Sequence, residues 1–337
     1  MIIQGTTLSG GNYYDSVGLY PFSTFTFTNA GVTGRFGPTL GNCLSSYDTI
    51  SNSWLNNTAY FNMLTQGYQL WTVPRTGTYK IRVAGASAGG AMTGGTPKLP
   101  YTVGFADGAV IESANVSLTQ GQKLQILVGQ QGIMYSNVSS GGGGGTFVVN
   151  YTGNTNTIGD AIMVAGGGSG CQINTLQPVI TYKGSNGNVA QAIGNDSSAG
   201  AKGGNLTLAG GTYPYMGGRS GGWTGGGGGL LADGQAATIS DVGKKGNAFI
   251  NGGVGGNANT LNSILGTAWG GFGGGGGSHG NSGGAGGAGG YCGGAGGDQS
   301  SNQATGGGGG SFSVMPGYTQ VGQNRGQGYC IVTYMGP

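Results

Sequence analysis

The residues that could perform acid–base chemistry are few. The one histidine, His279, lies inside a glycine run, and the one glutamate, Glu112, lies in a predicted strand. A histidine that acts as a base needs a carboxylate to orient it, and no spacing of carboxylates suggests a glycoside-cleaving pair. We therefore expect no catalytic residue and no enzyme.

The cofactor and metal motifs are equally weak. Matches to GxGxxG arise by chance in a chain with 84 glycines among 337 residues, and Gly243-Lys244 is followed by lysine, so it is not a phosphate-binding loop. The four cysteines form no close pair of the kind that zinc sites use. We expect no cofactor and no metal. Two disulfides are arithmetically possible, but four buried free thiols are favoured, since disulfide-stapled domains are usually short and cysteine-dense. These cysteines are Cys43, Cys171, Cys292 and Cys330.

The charge pattern argues against nucleic acid and membrane partners. Twelve Lys/Arg and nine Asp/Glu give a net charge of +3, and the cations are scattered instead of clustered along a phosphate track. No stretch approaches the ~18 apolar residues of a membrane span, and the N-terminus lacks the features of a signal peptide. We expect a protein that acts on a virion or an extracellular surface without membrane insertion.

The composition of the chain narrows the class of protein to which it belongs. Charged residues make up 6% of the chain and apolar residues 36%, whereas ordinary domains are about 25% charged and about 7% glycine. The apolar and aromatic content is too high for a disordered linker. Collagen is excluded because no proline occurs between Pro214 and Pro316, where glycine is densest.

The part of the chain with less glycine is patterned as β-sheet. Thr78–Val83 alternates inward Tyr79, Ile81 and Val83 with outward lysine and arginine, the period of a half-buried strand. No window shows a convincing helical period with caps. The predicted strands, separated by glycine turns, indicate a sandwich or jelly roll. They are Phe22–Thr28, Thr78–Val83, Val110–Leu118, Lys123–Val128, Thr146–Tyr151, Ala161–Ala165 and, after the glycine-rich region, Gly328–Tyr334.

The glycine-rich region repeats every three residues. Residues 282–298 read SGGAGGAGGYCGGAGGD, and a period of three is that of an extended polyproline-II-type helix without internal hydrogen bonds. Such helices must pair laterally when buried, so we predict a bundle of polyglycine-II helices; the alternative is flexible glycine linkers. Eight candidate runs span 141–145, 165–170, 199–204, 217–229, 252–256, 270–277, 280–297 and 306–310. The glycines that represent the bundle are Gly141, Gly167, Gly226, Gly275, Gly287 and Gly308.

More varied segments interrupt these runs and are predicted to project as loops from the bundle ends. They are Cys171–Ser198, Thr212–Met216, Leu230–Ile250, Asn257–Ala268 and Asp298–Thr305. Rigidly supported loops are where recognition usually lies. The candidate contact residues have the composition of an interface hot spot: Tyr213, Tyr215, Met216, Arg219 and Trp223. For Trp223 and Trp269, a structural role in which the side chain packs against the bundle is at least as good an interpretation as a role in recognition.

Several stretches resemble the glycine-rich extracellular domain of anaplastic lymphoma kinase and leukocyte tyrosine kinase receptors. They are Leu124–Gly132, Gly141–Val149, Ile162–Gly168, Gly270–Gly277 and Gly306–Phe312, in order within residues 66–334. The resemblance implies a tumour-necrosis-factor-like sandwich that carries polyglycine-II helices. The bundle also resembles that of phage long-tail-fibre adhesins, whose loops bind receptors, and Phe25–Leu40 is similar to glycine-rich viral structural proteins.

Together these patterns predict an all-β fold: a jelly-roll sandwich with an inserted polyglycine-II bundle. We expect an N-terminal β or assembly segment over 1–65, a sandwich over 66–165 and 311–337, and the bundle over 166–310. The expected function is that of a fibre, spike or adhesin that binds a cell-surface protein or glycan. The alternative is an architectural subunit that decorates a capsid or forms filaments, and a soluble ligand-binding module is a third class. Self-assembly, including a homotrimer by analogy, and contacts with other virion subunits are expected.

Overall fold

A computed structural model describes residues 18–89, 106–135, 139–151, 153, 161–173, 181–182, 188–191, 207–208, 211–212, 217–237, 243–258, 268–279, 284–297, 306–315 and 319–337. These residues form a mostly β structure with two large sheets. The first is antiparallel and five-stranded, in the order β1 (Thr24–Phe27), β18 (Tyr329–Gly336), β4 (Gly77–Ala84), β5 (Gly108–Leu118), β17 (Thr319–Asn324).

The second large sheet has seven strands, and all its pairs are antiparallel except the edge pair β13–β16. Its order is β13 (Asn188–Gln191), β16 (Gly310–Ser313), β10 (Ala161–Ala165), β9 (Thr146–Asn150), β6 (Lys123–Leu127), β3 (Tyr68–Thr72), β2 (Phe61–Asn62). Short strands β7 (Met134–Tyr135), β8 (Ser139–Ser140), β11 (Gln172–Ile173) and β12 (Thr181–Tyr182) form a third sheet, and β14 (Thr207–Leu208) pairs with β15 (Gly211–Thr212).

The strands predicted from alternating patterns are confirmed. In β4, Tyr79, Ile81 and Val83 are fully buried, while Lys80 and Arg82 lie on the other face and contact Glu112 of β5 at 3.6 and 2.6 Å. The last strand, β18, lies between β1 and β4. The chain therefore returns to the first sheet after the whole glycine-rich region.

The described residues contain one α-helix, α1 (Leu40–Ser46), which sequence patterns did not predict. Thr39 caps it, because its hydroxyl accepts from the Asn42 amide and the Asn42 side chain accepts from the Thr39 amide. The helix spans seven residues and buries only Cys43. Two turns with one buried side chain are too short to show a helical period.

The principal core lies between the two large sheets, and the N-terminal residues contribute much of it. Phe27, Leu55 and Phe61 are buried there with Trp71 of β3. The Tyr20 ring stacks on Trp54 at 5.1 Å. Side chains from Tyr20 to Phe61 therefore pack into the core between the two sheets, and β1 is an edge strand of the first sheet.

A second core covers the opposite face of the seven-stranded sheet. Tyr68 and Phe147 project from that face. They meet Leu230, Phe249 and Tyr291, which come from the glycine-rich region. Because alternate residues of this sheet face the two cores, its strands read as nearly continuous apolar runs.

The glycine-rich runs, here called threads, are buried and joined side by side by backbone hydrogen bonds. Several continue strands: residues 129–133 follow β6 after one residue, 141–145 precede β9, 166–170 follow β10 and 306–309 lead into β16. We call this assembly the glycine network. It comprises the described residues of 129–133, 141–145, 166–170, 217–235, 243–258, 268–278, 284–297 and 306–310.

The direction of the backbone N–H groups repeats every three residues along the threads. In the central thread, 286–291, successive amides donate to 140–143, to 225–228 and to 307–310, and then the cycle repeats, at 2.8–3.2 Å. The carbonyl groups of 286–289 accept from three other stretches, at Gly167 and Gly170, at Gly276 and at Gly294. The central thread is thus bonded to six surrounding stretches, and its backbone groups find the partners that burial requires.

Candidate functional site

The far end of the glycine network is defined by the direction of its threads. Leu230, Phe249 and Tyr291 mark the ends that contact the seven-stranded sheet. From them the threads run back to residues 224, 243 and 284 at the opposite end. There Thr224 closes a turn with Gly221 and its hydroxyl donates to Gly297 O at 2.7 Å. The chain enters and leaves several of the predicted loop segments at this end.

Two of the five predicted contact residues can be placed at this end. Arg219 is exposed, and its carbonyl accepts from Gly296 N at 2.8 Å. Trp223 is half-buried, and its carbonyl accepts from Gly243 N at 3.2 Å. Tyr213, Tyr215 and Met216 lie outside the described residues. The backbone of both placed residues is therefore fixed by the network, while their side chains retain accessible surface.

The predicted structural glycines are located inside the network. They are Gly141, Gly167, Gly226, Gly275, Gly287 and Gly308. In that order, the amides of the first five donate to the carbonyl groups of Ile133, Gly289, Gln235, Gly271 and Gly225, at 2.8–3.1 Å. Gly308 is buried in the thread that leads into β16.

Glycine is required where threads approach most closely. A Cβ added at Gly144 would lie 1.7 Å from Phe272 O, and one at Gly287 would lie 2.0 Å from Gly294 O. Ordinary van der Waals contact is 3.4–4 Å. Any side chain at these positions would push the threads apart and break the lateral bonds.

One predicted loop is partly a thread. Leu230–Ile250 was expected to project as a loop, which is wrong for residues 243–250. Gly243, Gly246 and Phe249 donate in turn to carbonyls of 223–229. The sequence pattern missed this thread because only two of those eight residues are glycine.

Trp223 forms an aromatic pair with His279, which sequence analysis had considered only as a base. The ring centroids are 5.0 Å apart and nearly perpendicular. Both residues are half-buried. His279 Nδ1 is buried and has no hydrogen-bond partner among the described residues. Desolvation lowers the pKa of His279 below its usual value.

Backbone hydrogen bonds join the three thread ends that carry this aromatic pair and Lys244. Gly243 N donates to Trp223 O at 3.2 Å, and Gly277 N donates to Lys244 O at 2.9 Å. Gly225 N in turn donates to Gly277 O at 3.0 Å. Trp223, Lys244 and His279 therefore lie on three neighbouring threads. Only the pairing of the threads brings these three residues together, so sequence spacing could not have identified the cluster.

The carboxylate of Asp233 links residues of the network at a point nearer the seven-stranded sheet. It accepts from Lys245 Nζ at 2.8 Å, from Ala248 N at 2.7 Å and from Asn251 Nδ2 at 2.9 Å. Burial by itself raises the pKa of Asp233, but these donors, with the positive charge of Lys245, outweigh burial and lower the pKa. Lys245 is thus engaged, whereas its neighbour Lys244 makes no ion pair within the described part of the chain.

The predicted free thiols are confirmed. All four cysteines are buried and unbridged. Burial raises the pKa of the Cys43 thiol to about 12 and also raises that of Cys330. Thiols in this state are poor nucleophiles.

No protein-family model matches the chain. Within the residues described above, no group of three or more His, Cys, Asp or Glu side chains could hold a metal ion. A search of the same residues finds no helix with the length and hydropathy needed to cross a bilayer.

Proposed function

We propose that the glycine network is a bundle of polyglycine-II helices inserted into a tumour-necrosis-factor-like jelly-roll sandwich. The repeat of amide direction every three residues supports it, because a three-fold extended helix presents its N–H groups in three directions 120° apart. The six bonded stretches around residues 286–291 support it too. So do the two large sheets that enclose one apolar core.

The function that this architecture supports best is that of a virion or extracellular structural protein with an adhesin-like role. The far end of the bundle would present loops to a cell-surface protein or glycan, as the tip of a fibre or spike does. The observation that carries the proposal is the fixed backbone at this end, where Arg219, Trp223 and Lys244 all have hydrogen-bonded carbonyls. A surface that is already ordered loses little conformational entropy when it binds. We propose a binding role and no enzymatic one.

A purely architectural subunit is the second candidate, and the sandwich surface favours it. Ile50, Leu64 and Met335 are 92%, 61% and 57% exposed, and packing against another subunit would remove their apolar surface from water. In this case the chain would decorate a capsid or form filaments, as a homotrimer or with other virion subunits. The far end of the bundle would then carry no receptor.

Adsorption of the purified, fluorescently labelled chain to a panel of bacterial and animal cells tests the two candidates. Saturable adsorption to a subset of cells is expected, and Arg219→Ala together with Trp223→Ala should reduce it. Lys123→Ala is the matched control, because Lys123 is an exposed lysine on β6 of the sandwich. Absence of adsorption to any cell, with spontaneous polymerisation of the chain, would contradict the adhesin role and favour the architectural one.

A further inference from the structure

The far end of the glycine network combines an aromatic pair with two cations. Arg219 is exposed and Lys244 is half-buried, and neither forms an ion pair within the described ranges. The one described carboxylate in this part of the network, Asp233, is already bonded to Lys245, Ala248 and Asn251. Among the described side chains at this end, the charges left without an ion pair are therefore both positive.

Backbone hydrogen bonds hold the positions from which the side chains of Arg219, Trp223 and Lys244 extend. Arg219 O, Trp223 O and Lys244 O all accept hydrogen bonds from glycine amides of neighbouring threads at 2.8–3.2 Å. A Cβ added at Gly225 would lie 2.0 Å from Lys244 O, which shows how little room separates these threads. A ligand would meet a preformed arrangement.

We propose that this surface, formed by Arg219, Trp223, Lys244 and His279, binds a sugar that carries a negative charge. The proposal rests on the adhesin role above and names the chemical class of its receptor. The faces of aromatic rings are electron-rich and attract the polarised C–H groups of a sugar ring. The guanidinium of Arg219 can form two parallel hydrogen bonds with a carboxylate or a phosphate, and Lys244 supplies a second positive charge.

A carboxylated and a phosphorylated sugar share this chemistry, and direct binding measurements distinguish them. Isothermal titration calorimetry on the full chain would use sialyllactose and mannose 6-phosphate, with lactose and mannose as neutral counterparts. At least one acidic sugar should bind roughly tenfold or more tightly than its neutral counterpart, as expected for hydrogen bonds to charged groups. The affinity should fall as NaCl is raised from about 0.05 to about 0.5 M, because salt screens exposed charges.

Substitutions then assign the binding to these side chains. Arg219→Gln and Lys244→Gln should each weaken binding of the acidic sugar roughly tenfold and reduce its salt dependence, while Lys123→Gln should change neither. Arg219→Lys should bind the acidic sugar with the salt dependence of the parent chain but with lower affinity, because lysine lacks the paired donors of arginine. Unchanged thermal unfolding temperatures would show that these variants keep the fold.

The possible failures separate this proposal from the one on which it depends. Equal affinity for acidic and neutral sugars, or full affinity in both Gln variants, would overturn the acidic-sugar site. If no sugar binds but cells still adsorb the chain through Arg219 and Trp223, the receptor is a protein and only this inference fails. If no cell adsorbs the chain at all, the adhesin role itself fails.

Discussion

Replacement of Gly227 by alanine tests whether close backbone contact holds the network together. The new Cβ would lie 1.8 Å from Ala288 O, whereas ordinary contact begins at 3.4 Å. The threads would have to separate by more than an ångström. That shift would break two bonds that join these threads, from Gly287 N to Gly225 O, now 3.1 Å, and from Gly290 N to Gly228 O, now 3.2 Å.

The expected loss follows from these two bonds. Each buried amide left without a partner costs about 1–3 kcal/mol, so Gly227→Ala should lower the free energy of unfolding by about 2–6 kcal/mol. Urea denaturation monitored by tryptophan fluorescence measures this free energy of unfolding. Hydrogen exchange should also become faster along the threads that contain residues 225–230 and 286–291, while exchange in the five-stranded sheet changes less.

Gly41→Ala is the matched control. Gly41 is exposed in α1, and the nearest atom to an added Cβ is the Thr39 hydroxyl at 3.8 Å. Since alanine favours a helix over glycine by about 1 kcal/mol, this variant should be as stable as the parent chain or slightly more stable. If Gly227→Ala proved as stable as Gly41→Ala, the close packing described for the network would be incorrect.

Three further predictions concern the cores and the titrating groups. The thiols of Cys43 and Cys330 should resist a disulfide reagent at pH 8 until the protein unfolds, because burial raises their pKa; labelling of the native chain within minutes would contradict this. Phe249→Ala should cost about 3–5 kcal/mol in urea denaturation, because Phe249 is buried between the network and the seven-stranded sheet; a cost below 1 kcal/mol would mean that the network hardly contacts the sheet. The pKa of Asp233 is lowered in the folded chain, so its stabilising contribution is present above the unfolded value of 3.8 and is lost as the pH falls through the folded value. Asp233→Asn should therefore lower the unfolding temperature at pH 7 but have progressively less effect below about pH 4, and an equal effect at both pH values would argue against the ion pair with Lys245.

The N-terminal segment shows what sequence patterns could not reveal. Residues 34–36 join the glycine network through mixed backbone and side-chain bonds. Phe272 N donates to Gly34 O at 2.8 Å, and Arg35 exchanges two bonds with Gly255 at 2.8 and 3.0 Å. Nothing in the spacing of these residues indicates a partner more than 200 positions away, because such contacts depend on how distant elements pack.

The sequence by itself determined the local structure of this protein. Alternation of apolar and polar residues predicted β4 and β5, since side chains on a strand face opposite sides in turn. The triplet pattern from Ser282 predicted an extended backbone without internal hydrogen bonds. These features depend only on neighbouring residues, and they are readable without knowledge of the fold.

Tertiary structure alone decided which thread bonds to which. Every thread offers nearly identical glycine amides and carbonyls, so the sequence contains little that favours one neighbour over another. The choice is made where the threads leave the sheets and where larger side chains such as Leu230 and Tyr291 enter the second core. That pairing also brings Trp223, Lys244 and His279 to one end of the network, because backbone hydrogen bonds fix the relative positions of threads that are far apart in the chain.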